Sequence, residues 1–468
     1  MDRSSLPVVV IGAGPIGLAA AVHLLGRGAT PVVLEAGPTV GASIAAWGHV
    51  RVFSPWEYDL DPACQALLEA HGWAAPPADA YPTGQELLDR YLFPLAALPE
   101  IQPHLRLGAR VTGVVRQGHS RLSSAGREAA PFVVRYTTAE GEAEVLARAV
   151  IDASGTYTTP NPLGASGLPA VGESQHPERI FYGIPDVLGG LRARYAGRRV
   201  LVAGSGHSAF NALLDLVRLA ETEPGTTITW VVRRAKLGSL FGGGAADQLP
   251  ERGRLGLRLR ALVERGALTL VAGFHAARVT ATPAGLVVSD GLRDLAPVDE
   301  IIVATGLRPD LAMLRELRLA LDEVVESPVA LAPLIDPNRH SCGSVPPHGA
   351  DELKHPEADF FMVGMKSYGR APTFLLRTGY EQVRSVVLAL TGDWEAARRI
   401  ELVLPETGVC NSNRDDEGDG LACCGLAAAA AESACCSPAM TAVPACPSSV
   451  RVALTLGGVE VVLAGSWG

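Results

Sequence analysis

Two glycine-rich turns, each placed at the same point of a repeated pattern, carry the chemistry available to this chain. Gly12, Gly14 and Gly17, with Ala13, Pro15 and Ile16 between them, follow the apolar run Val8 to Ile11 and open into the helix-forming stretch Leu18 to Leu25. Gly204, Ser205, Gly206, His207 and Ser208 follow Arg199 to Ala203 and open into a second helical stretch ending near Leu219, with Ala209 as an accepted variant of the third glycine. Strand, glycine turn and helix in that order are the context in which the pattern binds a dinucleotide instead of simply turning the chain. The first glycine permits the tight turn and the second lets backbone N–H groups approach a pyrophosphate. The third allows close packing at the positive end of the helix.

The residues downstream distinguish the two turns. Strand Pro31 to Leu34 ends on Glu35 and Ala36, about 20 residues beyond the first turn, where a carboxylate accepts hydrogen bonds from a ribose diol. The equivalent strand of the second motif, Thr226 to Val232, ends instead on Arg233 and Arg234. A guanidinium fork there pairs with a 2′-phosphate, which favours NADPH over NADH; two solvated charges at a strand end are the plainer alternative.

Turns of this kind require parallel sheets to hold them, so the expected fold is α/β with two Rossmann-like dinucleotide-binding domains. The first domain is expected at 1–160 and 296–404, interrupted by the second at 161–295. Ala149 to Asp152 before Ala153-Ser154-Gly155, and Ile301 to Val303 before Ala304-Thr305-Gly306, read as paired strands whose small residues allow a dinucleotide to approach. Arg110 to Val115, Phe132 to Thr137 and Ala143 to Arg148 read as an antiparallel meander turning about Glu140-Gly141. An irregular aromatic segment with Trp47, His49, Arg51, Phe53, Trp56 and Tyr58 suits either a packed core or the neighbourhood of an aromatic cofactor ring. Thr83 and Glu86 have the spacing of a capping box. Phe361 to Gly364 reads as a short strand, and Pro372 with Thr373 as the opening of a helix that reaches about Leu390.

With 468 residues, of which 48% are hydrophobic, the chain can fill more than one core. A net charge of −9 without a dense basic block argues against nucleic acid or an anionic membrane as partner. The first strand begins too early to leave room for a signal peptide, and no apolar run reaches transmembrane length. A soluble cytoplasmic protein with reduced thiols is therefore expected.

These motifs resemble the two-dinucleotide-binding flavoproteins, the superfamily of flavin-containing monooxygenases and thioredoxin reductases, over roughly residues 6 to 400. More narrowly, Tyr182 to Asp186, Gly204 to Phe210 and Val363 to Thr373 are similar to a bacterial monooxygenase-like group associated with arsenic resistance. The resemblance implies FAD at Gly12, Gly14, Pro15, Ile16, Gly17, Glu35, Ala36, Val111, Ser154, Gly155, Gly364 and Thr373. It implies NADPH at Gly204, Ser205, Gly206, His207, Ser208, Arg233, Arg234, Thr305 and Gly306. Three departures matter. The paired cysteines of the disulfide reductases are missing, since only Cys64 and Cys342 precede the tail. The monooxygenase segment ending in His is echoed loosely by Gly172 to His176. The aspartate that contacts the flavin ribityl chain is replaced, because Met365 follows Gly364.

Six of the eight cysteines fall between Cys410 and Cys446, in a segment (405–449) whose composition reads as a largely disordered tail; residues 450–468 read as a terminal β-hairpin. The adjacent pairs Cys423-Cys424 and Cys435-Cys436 would suit arsenite or another soft metal, whereas a zinc module is disfavoured by the spacing. A low-complexity tail and a redox relay are the alternatives. The expected activity is NADPH-driven oxygenation of a small soft nucleophile (sulfide, amine or trivalent arsenical) by O₂ through a C4a-(hydro)peroxyflavin. Arg51 and Lys366 are the candidate catalytic cations. A flavin-dependent reductase working through the tail cysteines, and a non-enzymatic metalloid-binding protein, are the competing readings. Oligomeric state is not legible in the residues.

Overall fold

The computed structural model describes residues 3–236, 240–241, 249–338, 345, 347–371 and 375–402, with the backbone of 455–456 and 459–460. Two all-parallel five-stranded sheets organise it. The first contains β1 (Val8–Ile11), β2 (Pro31–Leu34), β3 (Leu105–Arg106), β7 (Ala149–Asp152) and β15 (Phe360–Met362), in the order β15-β7-β1-β2-β3. The second contains β8 (Ile180–Tyr182), β9 (Arg199–Ala203), β10 (Thr227–Val231), β11 (Thr269–Val271) and β14 (Glu300–Val303), in the order β11-β10-β9-β14-β8.

Side-chain alternation along the central strands builds the layers. Val8 and Val10 face a core shared with helix α1 (Pro15–Gly26) and with the later helix Leu376–Leu390. Val9 and Ile11 face the opposite core, against the antiparallel meander β4 (Arg110–Arg116), β5 (Phe132–Thr138) and β6 (Gly141–Ala147). Both faces of a parallel strand are thus buried, which is why β1 is an unbroken apolar run. The second sheet repeats the plan. Val200 and Val202 pack on the helix His207–Thr222, while Leu201 and Ala203 pack on the hairpin β12 (Arg278–Thr282) and β13 (Gly285–Ser289).

One expected boundary is displaced. The sequence pattern places residues from 296 onward in the first domain, yet β14 pairs residue by residue with β9, from Glu300 opposite Val200 to Val303 opposite Ala203. The chain leaves the second sheet after Val303 and runs beside the incoming segment, where Asn161 N–H donates to Gly306 O at 2.9 Å and Pro160 bridges Leu307. The two crossings therefore lie side by side. Thr455–Leu456 pairs antiparallel with Val459–Glu460 in a separate C-terminal unit. Among the described residues no helix is long and apolar enough to cross a membrane.

Candidate functional site

The first glycine turn sits at the carboxyl edge of its sheet, between β1 and α1. Gly12 has φ +96°, and a Cβ there would lie 2.9 Å from Ala153 O, so the turn presses on the end of β7. At Gly17 a Cβ would collide with the Gly12 carbonyl oxygen. A Cβ at Gly14, by contrast, meets nothing within 4 Å, and Gly14 is the N-cap of α1 with Pro15 at its first position. Free space in front of helical N–H groups is what a pyrophosphate needs. Glu35 is held ready at the end of β2, its carboxylate accepting from Ala13 N–H and Gly37 N–H, both at 2.7 Å. Ala36 is exposed beside it, and Val111 is half-buried in the meander opposite Tyr136. Gly364 faces the same turn, since a Cβ there would meet Ile16 at 3.1 Å, and its N–H donates to Gln382 Oε1 at 2.7 Å. Thr373 lies outside the described residues. The described part of the helix expected from Pro372 begins at Leu376.

The second turn has the same construction. Gly204, at φ +133°, is pressed on Ala304 O, and Trp230 Nε1–H donates to Gly204 O at 2.7 Å. Gly206 again faces unfilled space, and Ser205 and Ser208 are exposed. Thr305 Oγ1 donates to Asn161 O (2.9 Å) and ties the two crossings together, while Gly306 holds φ +93°. Arg233 follows β10 with an exposed guanidinium that donates to Ala165 O at 3.2 Å; Arg234 is half-buried. The segment Gly172 to His176 serves as a clamp. Glu173 is buried and accepts from the N–H groups of Leu163, Gly164 and Ala170 and from Tyr182 O–H.

The aromatic segment is split between core and cofactor neighbourhood. Trp56 is buried in the first core, whereas Phe53 reaches the second turn, its ring centroid 5.1 Å from that of His207. Asp59, in the same segment, accepts from Ser54 Oγ–H at 2.7 Å; its other carboxylate oxygen is buried without a hydrogen-bond partner among the described residues, and burial pushes its pKa up to about 7.

The two candidate cations are not brought together. Arg51 is exposed, donating to Tyr81 O and lying 3.7 Å from Glu86. Lys366 is 1% exposed, and its ammonium lies 2.9 Å from both Asp152 Oδ2 and Ser154 Oγ. In the sequence Asp152 reads only as the end of an apolar strand. An internal alignment of 149–155 with 300–306, which sets Asp152 against Val303, is the signal that marks it. Cys64 is fully buried; burial and the neighbouring Asp61 carboxylate hold its thiol pKa well above the usual range, so it is an inert thiol. Cys342, Cys423, Cys424, Cys435 and Cys436 lie outside the described residues. Among the described residues no cluster of His, Cys, Asp or Glu could hold a metal ion.

Two parallel sheets, each carrying a glycine turn with free space in front of its helix, define a two-dinucleotide-binding flavoprotein oxidoreductase. The chain belongs to the pyridine nucleotide-disulphide oxidoreductase family, which it matches over residues 9–332. It is 27% identical over 319 residues to a ferredoxin–NADP reductase of Verminephrobacter eiseniae (strain EF01-2), covering 67% of this chain and 74% of the relative. Its fold is similar to that of the bacillithiol disulfide reductase of Bacillus cereus, with a TM-score of 0.60 at 20% identity over 82% of this chain and 98% of that one. It is also similar to a doubly substituted flavin monooxygenase from Stenotrophomonas maltophilia, with a TM-score of 0.51 at 24% identity over 82% and 98%. The chain is thus an FAD-dependent oxidoreductase, and FAD with NADP(H) is the cofactor pair of this class.

Proposed function

We propose that this enzyme is an NADPH-dependent monooxygenase that inserts one oxygen atom of O₂ into a small soft nucleophile. The carrying observation is that two glycine turns, each with open space before its helix, stand with no thiol pair among the described residues. Residues 1–341 contain one cysteine, and that cysteine is buried with its proton retained. Electrons that enter from a nicotinamide therefore do not leave through a disulfide beside the first turn, and O₂ is the acceptor of this reading. Bound FAD would supply hydride acceptance and reaction with O₂.

The chain's own residues bind and orient. Gly14 and Gly206 admit the two pyrophosphates, Glu35 takes the ribose of FAD, and Arg233 with Arg234 takes the 2′-phosphate of NADPH. Thr305 and Gly306 carry the second crossing past the nicotinamide nucleotide. Phe53 against His207 joins the first domain's aromatic segment to the second turn. Each turnover consumes one NADPH, one proton and one O₂, and yields NADP⁺, water and the oxygenated product. Sulfides, amines and trivalent arsenicals fit the electrophilic character of the transfer. The arsenical rests on the narrower sequence resemblance and on the vicinal cysteines of the tail.

A second reading is favoured by the ferredoxin–NADP reductase relatives: a reductase that hands electrons to an external acceptor or to the tail cysteines. One experiment separates the two. FAD-loaded protein is reduced anaerobically with NADPH, then mixed with ¹⁸O₂ and each substrate class in turn. Labelled product in proportion to NADPH consumed, retained after Cys423, Cys424, Cys435 and Cys436 are all changed to Ser, is the expected result. NADPH consumption that yields only hydrogen peroxide, or that collapses in the fourfold variant, would replace the monooxygenase by the reductase.

A further inference from the structure

A buried amide with no freedom of orientation stands behind the first crevice. Gln382 is fully buried on the helix Leu376–Leu390, and its Oε1 accepts from Gly364 N–H at 2.7 Å. Gly364 opens the short helix Gly364–Tyr368 just past β15 and faces the first glycine turn, where a Cβ would meet Ile16 at 3.1 Å. A backbone N–H can only donate, so it fixes Oε1 on its own side and turns the amide nitrogen the other way. There both amide hydrogens are used. One goes to Ser367 Oγ at 3.0 Å, whose own proton goes to Gly364 O at 2.8 Å in preference to Gln382 Oε1 at 3.3 Å. The other points at His348 Nε2, 2.8 Å away. A ring nitrogen that receives an N–H carries no proton, so His348 is the neutral imidazole with its hydrogen on Nδ1.

No rotation of this network accommodates a second proton on His348. An Nε2–H facing the amide NH₂ sets donor against donor, and turning the amide over sets its NH₂ against Gly364 N–H instead. One buried donor loses its acceptor either way. Protons nonetheless reach the ring, because His348 lines a cavity of about 240 Å³ whose wall includes Arg399 and Ile400, both exposed. Across that cavity stand Asp351, paired with Lys354 and Arg398, Glu381, paired with Arg384, and Arg399, paired with Glu395. Glu352 lines it too, and among the described residues its carboxylate accepts only from Gly349 N–H, at 2.8 Å. From the helix Gly364–Tyr368, the Tyr368 ring packs on His348 at 5.6 Å with its hydroxyl pKa held well above the usual range by burial, and Lys366 is paired with Asp152. Glu352 is thus the carboxylate that favours a cationic ring, and Gln382 is the group that opposes one.

We infer that His348 and Gln382 form an acid-sensitive latch on Gly364: the neutral imidazole holds the amide, the amide holds the Gly364 backbone against the first glycine turn, and protonation of His348 weakens the grip on FAD. The inference rests on the assignment of that crevice to FAD and deepens it with a control on cofactor retention. Both are positioning residues that act through Gly364. The arrangement that admits FAD is the one with neutral His348, so affinity is full at neutral and higher pH and falls as acid protonates the ring.

Two measurements on the full chain test this. In the first, NMR spectra of ¹⁵N-histidine-labelled protein without FAD are recorded at about pH 8, the His348 signals being identified by their loss in His348→Leu. A hydrogen on Nδ1 and none on Nε2 is expected, and a hydrogen on Nε2 overturns the latch. In the second, the FAD dissociation constant is followed from about pH 8 to about pH 5. Wild type is expected to bind FAD at least about tenfold more weakly at the acid end. Gln382→Glu is expected to flatten that dependence, because a carboxylate accepts from Gly364 N–H and from His348 in either protonation state. Should that variant not fold, His348→Leu, which removes the proton site, must show the same flattening. A flat wild-type profile, or an acid dependence that persists unchanged in the variant, overturns the inference. Wild-type protein that takes up no FAD at any pH defeats the assignment of the crevice and the latch with it, and the first measurement tells that failure from a wrong tautomer.

Discussion

At the scale of single residues, the glycines of each turn do different jobs. Gly17 is glycine because a side chain would enter the Gly12 carbonyl, whereas Gly14, at φ −77°, has an ordinary backbone and free space before it. The first is a packing requirement and the second a ligand requirement. Gly14→Ala is accordingly expected to keep the wild-type melting temperature while weakening FAD binding about tenfold or more, since the added methyl stands where the pyrophosphate approaches. Gly17→Ala is expected to lower the melting temperature of the apo-protein itself. Differential scanning calorimetry with and without FAD checks both. Equal destabilisation by the two substitutions would remove the reading of Gly14 as a cradle. Lys366 makes the complementary point: its residue type suggested chemistry, but only its burial against Asp152 shows where that charge is spent.

At the scale of elements, the parallel strands and their glycine turns were legible because parallel strands buried on both faces are apolar throughout and the turns have a fixed spacing. The meander was legible from the alternation in β5, where Phe132, Val134 and Tyr136 face the core. What escaped was pairing between distant segments. Nothing local in Glu300 to Val303 says that it joins β9, so the sequence pattern puts the boundary near residue 296, ahead of a strand that still belongs to the second sheet. Glu357 was equally silent. It accepts from Arg116 Nε at 2.8 Å, Arg127 Nη2 at 2.7 Å and Arg318 N–H at 3.0 Å, joining the meander to the approach to β15. Both guanidiniums and the carboxylate are nearly inaccessible, and the two arginines hold the carboxyl below its usual range against the opposing effect of burial. Glu357→Ala leaves two buried cations uncompensated. A loss of about 3–5 kcal/mol is expected by analogy with other broken buried pairs, measured by urea denaturation. A loss below about 1 kcal/mol, the range of exposed ion pairs, would mean that water reaches the cluster.

At the scale of the whole molecule, two buried ionisable groups pull the pH dependence of stability in opposite directions. Asp59 is 1% exposed, and burial outweighs the Ser54 hydrogen bond to raise its pKa from 3.8 to about 7. The unfolded chain thus ionises this group before the native one does, and its contribution is fully present below pH 3.8 and lost as the pH rises towards 7. His355 is the reverse case. Burial lowers its pKa from 6.5 to about 4, so its contribution is present above pH 6.5 and lost as the pH falls towards 4. Between these limits the two trends offset each other in the wild type. Asp59→Asn removes one of them. Its stability relative to wild type is expected to rise steadily between pH 4 and 7 and then level off, leaving a variant whose own stability falls on acidification as His355 takes control. Denaturation midpoints at half-unit pH intervals measure this directly. A gap between variant and wild type that stays constant across the interval would place a compensating partner at the free oxygen of Asp59.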